Sequence, residues 1–178
     1  MTAPTRLNAA LPHWERRERH GRWIDAPPAA VWGALTALRA QDVPLTRLLF
    51  RLRALAAGGP DPTIPLVEAM PLQRLAVDEP RELVLGMVGR FWGSEAPAVQ
   101  PADVAGFAAF AEPGWAKAAM NFTLTPERGG TRLDTETRVA TTDDRMRRLV
   151  GLYWLGVRAG SGLMRHDLLR GIDRAART

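Results

Sequence analysis

Cysteine is absent from the 178-residue chain, which excludes disulfides, a thiol nucleophile and cysteine-based metal sites. Lysine is almost absent, because Lys117 is the only one and arginine supplies nearly all of the positive charge. No apolar run reaches the roughly 18 residues that a membrane-spanning helix requires. Residues 1–20 also lack the apolar segment of a secretory signal peptide. We therefore predict a cytoplasmic protein without an integral membrane segment.

The distribution of charge argues against nucleic acid as a partner. A formal net charge of +5 would suit phosphate binding, but the basic residues are scattered along the chain. The one dense cluster, Glu15–Arg22, has glutamates interleaved with its arginines. We predict no nucleic-acid partner.

Motifs for metals, cofactors and nucleophilic catalysis are missing. His13, His20 and His166 do not have the spacing of metal ligands, and the sequence contains no phosphate loop or dinucleotide fingerprint. Ser161 does not match the nucleophile-elbow pattern and lies inside a predicted helix, so we interpret it as a small packing residue. We predict no metal site and no cofactor, and we assign no catalytic residue.

The succession of apolar patterns predicts an α+β fold. A strand, two helices, a run of antiparallel strands and one long helix follow each other along the chain. This order favours a helix-grip fold, a curved antiparallel β-sheet wrapped around a long C-terminal helix, with two short helices closing one end. We expect residues 1–15 to form a flexible arm and residues 16–178 a single domain. The expected strands are residues 19–25, 72–77, 82–92 and 106–114 with a hairpin from residue 115, and the short helices are 27–38 and 42–57.

The final hairpin has a register that follows from its turn. If residues 128–129 form a two-residue turn, Phe122 lies opposite Thr135 and Met120 lies opposite Thr137. Side chains alternate between the two faces of a strand, so these four share one face. We expect that face to lie against the long helix.

The other face of the hairpin is charged, and we interpret it as the solvated side of the sheet. The alternative is that a bulge turns part of it inward, so that Glu136 and Arg138 line a cavity. The presence of the only lysine of the chain on this face gives the alternative some weight. The residues of the face are Lys117, Asn121, Arg132, Asp134, Glu136 and Arg138.

The C-terminal segment has a helical period from Asp143 to about Arg177. Four glycines interrupt it, and each costs about 1 kcal/mol relative to alanine in a helix interior. Either another backbone approaches closely at these glycines, or they border a space that something else fills. The glycines are Gly151, Gly156, Gly160 and Gly162, and the apolar face comprises Met146, Val150, Tyr153, Val157, Ser161, Met164, Leu168 and Ile172.

Four segments carry a resemblance to a known family: RWIDAPPAAVWGAL (Arg22–Leu35), ELVLGMVGRFW (Glu82–Trp92), TRLDTETRV (Thr131–Val139) and YWLGVRAGSGLMR (Tyr153–Arg165). They resemble the SRPBCC superfamily of START-like and Bet v 1-like helix-grip proteins, and the chain is similar to uncharacterised bacterial members. The resemblance covers almost the whole chain beyond residue 15. It implies a cavity between sheet and long helix that holds an apolar or amphipathic molecule. Members include lipid and sterol carriers, polyketide cyclases, a ubiquinone-binding branch and co-chaperones.

We expect the protein to bind a hydrophobic or amphipathic small molecule, such as a lipid, an isoprenoid or an aromatic polyketide. One alternative is an enzyme of polyketide cyclase or hydrolase type, in which Glu136 or Tyr153 acts as acid or base. Another is a co-chaperone-like module that binds proteins through the outer sheet face. The sequence does not indicate the oligomeric state.

The expected ligand site combines apolar lining with a few polar groups. Arg90 and Trp92 end an apolar strand beside a candidate mobile lid, residues 93–106, and would anchor an anionic head group. The predicted ligand-binding residues are Arg90, Trp92, Met120, Phe122, Thr135, Thr137, Tyr153, Val157 and Met164.

Overall fold

The protein is described by a computed structural model over residues 5–54, 61, 63–90 and 98–178, without the side chains of residues 50–54 and 157–159. Six strands in these residues form one curved, open antiparallel sheet. Its strand order is β1-β6-β5-β3-β2, and the short β4 pairs with β3. The strands are β1 (Arg16–Ile24), β2 (Gln73–Asp78), β3 (Glu82–Gly89), β4 (Ala98–Val99), β5 (Ala116–Glu127) and β6 (Gly130–Thr141).

One long helix crosses the inner face of this sheet, as the sequence predicts for the helix-grip fold. No helix in the described part of the chain is both long enough and apolar enough to span a membrane. The helices are α1 (Arg6–Ala10), α2 (Pro28–Ala37), α3 (Pro44–Ala54), α4 (Leu66–Ala69), α5 (Val104–Ala109) and α6 (Asp144–Ala176), with a 3₁₀ turn at Ala40–Asp42.

The β5–β6 hairpin has the predicted register. Arg128 and Gly129 adopt φ values of 53° and 80°, the left-handed conformations that a tight hairpin turn of this kind requires. Phe122 pairs with Thr135 and Met120 with Thr137. The turn therefore decides which side chains of the hairpin reach the inner face.

The inner core joins the sheet to α2 and to the C-terminal end of α6. Phe122, Leu133 and Ile172 are almost completely buried in it, together with Leu35 of α2. Asp143 caps the N-terminus of α6, and its carboxylate accepts hydrogen bonds from the backbone N–H groups of Met146 and Gly114. These hydrogen bonds hold the pKa of Asp143 below its ordinary value and complete the helix N-terminus.

The outer face of the sheet is covered by a second apolar layer made by α1 and α5. Leu7, Leu11 and Phe107 are buried there against Val84 and Val88 of β3. We expected a flexible arm at residues 1–15, and α1 of that segment instead lies packed on the sheet. The division of the chain at residue 15 stays a prediction.

Two expectations for the chain before β5 are changed by the structure. The predicted strand at residues 106–114 is wrong, because Val104–Ala109 form the helix α5. Asp103 caps this helix, since its carboxylate accepts a hydrogen bond from Gly106 N–H at 2.7 Å. The candidate lid, residues 93–106, lies partly outside the described residues. Its described part forms β4 and the start of α5.

The charged face of the hairpin points away from α6, as expected, but the part of it next to α1 is not solvated. Asn121 and Arg138 are 3% and 5% exposed, because α1 lies over them. Arg138 donates to the Leu11 carbonyl at 2.9 Å and to Asn8 Oδ1 at 2.7 Å. We call Glu82, Asn121, Glu136 and Arg138 the outer polar network.

Lys117, on the same face, holds α5 in place. Its Nζ donates to the carbonyl oxygens of Phe107 and Ala108 at the C-terminal end of α5, at 3.3 and 2.8 Å. Burial lowers the pKa of Lys117. The single lysine of the chain thus connects β5 to the C-terminal end of α5 through hydrogen bonds.

Candidate functional site

Helix α6 is tightly packed at its two ends and open in its middle. Met146 and Val150 are buried near the N-terminal end, and Leu168 and Ile172 near the C-terminal end. The described inward-facing residues between them are only half-buried, so the middle of the helix packs less closely on the sheet than its ends do, and we call this region the cleft. These half-buried residues are Tyr153, Trp154, Ser161, Met164 and Arg165.

The polar side of the cleft comes from strand β1. Ile24 of β1 is completely buried in the inner core, so the alternate residues Glu18 and His20 face inward as well. In the sheet, Glu18 pairs with Thr137 and His20 pairs with Thr135. The inner face therefore changes from apolar on β5 to polar on β1.

Hydrogen bonds link this polar side to α6. Glu18 Oε1 lies 2.7 Å from His20 Nε2, and Ser161 Oγ donates to Glu18 Oε2 at 3.0 Å. The ring of His166 meets that of His20 edge-on, with the ring centroids 4.9 Å apart. We call Glu18, His20, Thr135, Thr137, Ser161 and Arg165 the inner polar cluster.

Arg165 is the cationic member of the inner polar cluster. Its guanidinium donates to Thr137 Oγ1 at 2.8 Å and contacts Met120 Sδ at 3.4 Å. Burial lowers its pKa to about 10, although the negative charge of Glu18 opposes the shift. No carboxylate of the described residues forms an ion pair with it, and its Nε–H donates to no atom of those residues, so part of its donor capacity remains available.

Thr135 contributes a second available polar group. Its hydroxyl oxygen is buried and has no hydrogen-bond partner within the described part of the protein. A buried hydroxyl without a partner costs about 1–3 kcal/mol, so native proteins seldom leave one without a reason. Thr135 therefore lies where a ligand oxygen or a water would satisfy it.

The apolar floor of the cleft lies beside these groups on β3 and β5. Met120 and Phe122 are 4% and 1% exposed, and Leu85 is completely buried next to them. Met87 and Ala118, one pair further along the same strands, are half-buried. The cleft is consequently amphipathic, with an apolar floor on one side and the inner polar cluster on the other.

Two of the four glycines of α6 match the expectation of an open space, and none of them is approached by another backbone within the described residues. A Cβ atom at Gly162 would lie 3.3 Å from Glu18 Oε1, and one at Gly151 would lie 3.0 Å from an Arg16 nitrogen. Gly162 therefore lets a side chain of β1, and not a backbone, approach the helix. A Cβ at Gly156 or Gly160 would meet nothing within 4 Å, so those two border open space.

A pocket of about 850 Å³ opens where β1 and the N-terminal half of α6 diverge. Its wall includes Arg16, Gly151 and Trp154, which continue the two elements that carry the inner polar cluster. Arg148, Leu152 and Leu155 also line this pocket, whereas no residue of the inner polar cluster or of the apolar floor does, so the pocket lies beside the cleft. No group of three histidine, cysteine or acidic side chains in the described ranges could hold a metal ion.

The structure brings together five of the nine predicted ligand-binding residues. Four of these lie on the sheet under α6 and the fifth on α6 itself: Met120, Phe122, Thr135, Thr137 and Met164. Tyr153 is half-buried on α6. Trp92 and the side chain of Val157 lie outside the described residues.

Arg90 and Glu136 lie elsewhere. Arg90 is exposed, donates to the Gly114 carbonyl at 2.8 Å and stacks 4.7 Å from the centroid of the Trp115 ring. Glu136 is on the outer face, where it pairs with Arg17 and Arg138 at 2.9 and 2.7 Å. The hypothesis that Glu136 lines the cavity is therefore wrong.

Sequence reasoning missed the polar members of the cluster that come from β1 and α6. The segment RRERHGRWI carries a signal for them, because Glu18 and His20 have the same strand parity as the buried Ile24. Because glutamates and arginines are interleaved in Glu15–Arg22, the segment was interpreted as a charged cluster, and the alternation of inward and outward side chains was not recognised. Arg165 has no comparable signal, since a single arginine on a helix normally faces solvent.

Comparisons with known proteins add little to this geometry. No family model matches the sequence, and no curated protein matches it. Among solved structures, MLL2253 from Mesorhizobium loti is 21% identical with a TM-score of 0.42, over 89% of this chain and 98% of that one. Ms6760 from Mycobacterium smegmatis is 15% identical with a TM-score of 0.42, over 89% and 88%.

CalU16 from Micromonospora echinospora, whose structure was determined by NMR, is 18% identical with a TM-score of 0.39, over 88% of this chain and 65% of that one. All three scores are below 0.5. The fold therefore rests on the observed strands and helices themselves, and the function rests on the cleft.

Proposed function

We propose that the protein is a helix-grip protein of the SRPBCC type that binds an amphipathic small molecule in the cleft beneath the middle of α6. The observation that carries this proposal is Arg165, a half-buried guanidinium without a carboxylate partner among the described residues, next to an apolar floor. A ligand with one oxygen-rich group and a hydrophobic body matches both sides. Lipids, isoprenoids and aromatic polyketides with an acidic group are the candidate classes.

The two sides of the cleft would contribute differently to binding. Contact with the half-buried Met87, Ala118 and Met164 would supply about 2.5 kcal/mol for each 100 Å² of apolar ligand surface buried, before ordering costs. Hydrogen bonds from Arg165 to a ligand carboxylate contribute about 1.5–3 kcal/mol because one partner is charged. The apolar floor would therefore provide most of the affinity, and Arg165 would set the orientation.

The first test is native against denaturing mass spectrometry on protein purified without detergent. A bound small molecule that is lost on denaturation supports the proposal and identifies the class of ligand. A direct binding test uses cis-parinaric acid and its methyl ester, whose fluorescence rises in an apolar site. The two probes have the same hydrophobic body and differ in one charged group.

The substitution Arg165→Met separates the contributions of the two sides. We expect it to weaken binding of the acid about tenfold or more, equivalent to at least about 1.4 kcal/mol, and to change binding of the ester little. Arg90→Met is the matched control, because Arg90 lies outside the cleft. Equal losses for acid and ester contradict the assigned orientation, and no binding of either probe with an apo native mass contradicts the proposal.

A second candidate function is general acid–base catalysis in the same cleft. Glu18 and His20 lie 2.7 Å apart, and a histidine held by a carboxylate is a common catalytic base. His20→Gln would then abolish turnover of an activated ester such as p-nitrophenyl hexanoate while the variant still binds parinaric acid. The co-chaperone alternative is not retained, since α1 and α5 cover the outer face across β3, β5 and β6.

A further inference from the structure

The outward face of α6 carries a row of exposed leucines. Leu152 and Leu155 are 70% and 75% exposed, and Leu149 and Leu163 are 39% and 54% exposed. The helical period places all four on one side of the helix, opposite the residues that pack on the sheet. From the first to the last, the row extends over about 21 Å at 1.5 Å per residue. A single exposed leucine needs no explanation, but four exposed leucines on one side of a helix indicate an interaction surface.

Arginines stand at both ends of this leucine row. Arg145 and Arg148 precede it, Arg170 and Arg174 follow it, and all four are exposed on the same side of α6. Arg148 and Arg170 form no ion pair with any residue that the structure describes. The surface therefore has an apolar centre and two positively charged ends.

We propose that this face of α6 docks on an anionic lipid surface. The leucines would enter the boundary between head groups and acyl chains, and the arginines would pair with lipid phosphates at the level of the head groups. Guanidinium groups suit that contact because they bind phosphate oxygens in pairs. The helix lies along the lipid surface and does not cross it.

The distribution of charge disfavours a second copy of the chain as the occupant. In either relative orientation of two α6 helices, the arginines at the ends of one row approach those of the other. A protein partner would also need a groove that matches a protruding row of leucines. A lipid surface needs no such complementarity, because its acyl chains rearrange around the inserted side chains. The inference does not depend on whether the cleft holds a ligand.

The test is co-sedimentation of the full chain with vesicles of phosphatidylcholine alone and of phosphatidylcholine mixed with an equal part of phosphatidylglycerol. We expect at least about tenfold tighter binding to the anionic vesicles, and we expect high salt to weaken it. The double substitution Leu152→Ser with Leu155→Ser should lower that affinity about tenfold or more. Arg148→Gln with Arg170→Gln should lower it by a similar factor.

Two control variants match these changes in chemistry and exposure. Val77→Ser alters a valine that is 51% exposed on β2, and Arg128→Gln alters an exposed arginine in the hairpin turn. Neither should change vesicle binding, and circular dichroism should show all variants folded. Binding that is unchanged in the leucine variant, or absent from both kinds of vesicle, overturns the proposal. A stable dimer in lipid-free solution that the leucine substitutions dissociate would assign the face to a second copy instead.

Discussion

One arginine on each face of the sheet donates hydrogen bonds to the strands, and the two arginines differ in the partners that they have. On the outer face, Arg138 donates to Glu136 at 2.7 Å, to the Leu11 carbonyl at 2.9 Å and to Asn8 at 2.7 Å, and it lies 3.9 Å from the centroid of the Trp14 ring. On the inner face, Arg165 has only a threonine hydroxyl and a methionine sulfur as partners within the described chain. Each of the three nitrogens of the Arg138 guanidinium donates to an oxygen, whereas only one nitrogen of Arg165 does so.

This difference separates a structural network from a candidate binding site. A buried polar group stabilises a fold only when its hydrogen bonds are made, and it is costly when they are not. In the outer polar network, Glu82 accepts from Asn121 at 2.7 Å and from Arg6 N–H at the start of α1 at 2.7 Å. The inner polar cluster keeps donors and one hydroxyl unsatisfied, which costs stability and leaves groups for a ligand.

The largest expected effect is on the outer face. Arg138→Met should lower the free energy of unfolding by about 3–4 kcal/mol, because Glu136 and the Leu11 carbonyl would lose their buried partner. Urea denaturation followed by circular dichroism measures this change. The matched variant Arg165→Met should cost less than about 1 kcal/mol, since it removes a desolvated charge that has no carboxylate partner. Equal losses in the two variants would remove the distinction between the faces.

The second prediction concerns the apolar layer over the outer face. Leu7→Ala should lower the free energy of unfolding by about 2–3 kcal/mol, because the side chain of Leu7 is completely buried between α1 and the sheet. Leu152→Ala, on the exposed side of α6, is the control and should change stability by less than about 0.5 kcal/mol. A negligible effect of Leu7→Ala would show that residues 1–15 form a loosely held arm, as the sequence alone suggests.

The third prediction uses two threonines of β6. Thr135→Val replaces a hydroxyl without a partner by a methyl group of similar size, and it should raise the free energy of unfolding by about 1 kcal/mol. Thr131→Val should lower it by about 1 kcal/mol, because the Thr131 hydroxyl is buried and donates to the Ala26 carbonyl at 2.7 Å. Thermal unfolding of the two variants decides the question. A loss of stability in both would mean that the hydroxyl of Thr135 is satisfied.

The hairpin and the long helix could be predicted because their determinants are local. A two-residue turn fixes the register of β5 and β6, and alternation then places Met120 and Phe122 on the inner face. The outer layer could not be predicted in the same way. Helix α1 has five residues, and Leu7 and Leu11 gain their significance only from the distant strands that they cover.

The inner polar cluster combines residues that are far apart in sequence. Ser161 donates a hydrogen bond to Glu18, which is 143 positions away in the chain, and no local periodicity of the sequence predicts such a pair. The apolar half of the site follows from strand alternation, whereas its polar half depends on how α6 lies across β1. Sequence reasoning therefore found the floor of the cleft and the two threonines of β6, Thr135 and Thr137, and missed Glu18, His20 and Arg165.

The smallest expected effect is on the pH dependence of stability. Burial raises the pKa of Glu136, but hydrogen bonds from Arg138 and Arg17 and their positive charges outweigh it, so the pKa lies below its ordinary value of 4.5. The stabilisation by ionised Glu136 is therefore complete above the unfolded pKa and is lost as the pH falls through the lower folded pKa. Urea denaturation between pH 7 and pH 3 should show this loss in the wild type. Glu136→Gln should flatten the acid limb of that profile, because it removes the carboxyl group whose pKa is lowered. An unchanged acid limb in Glu136→Gln would mean that the ion pairs of the outer face do not determine the stability of the sheet in acid.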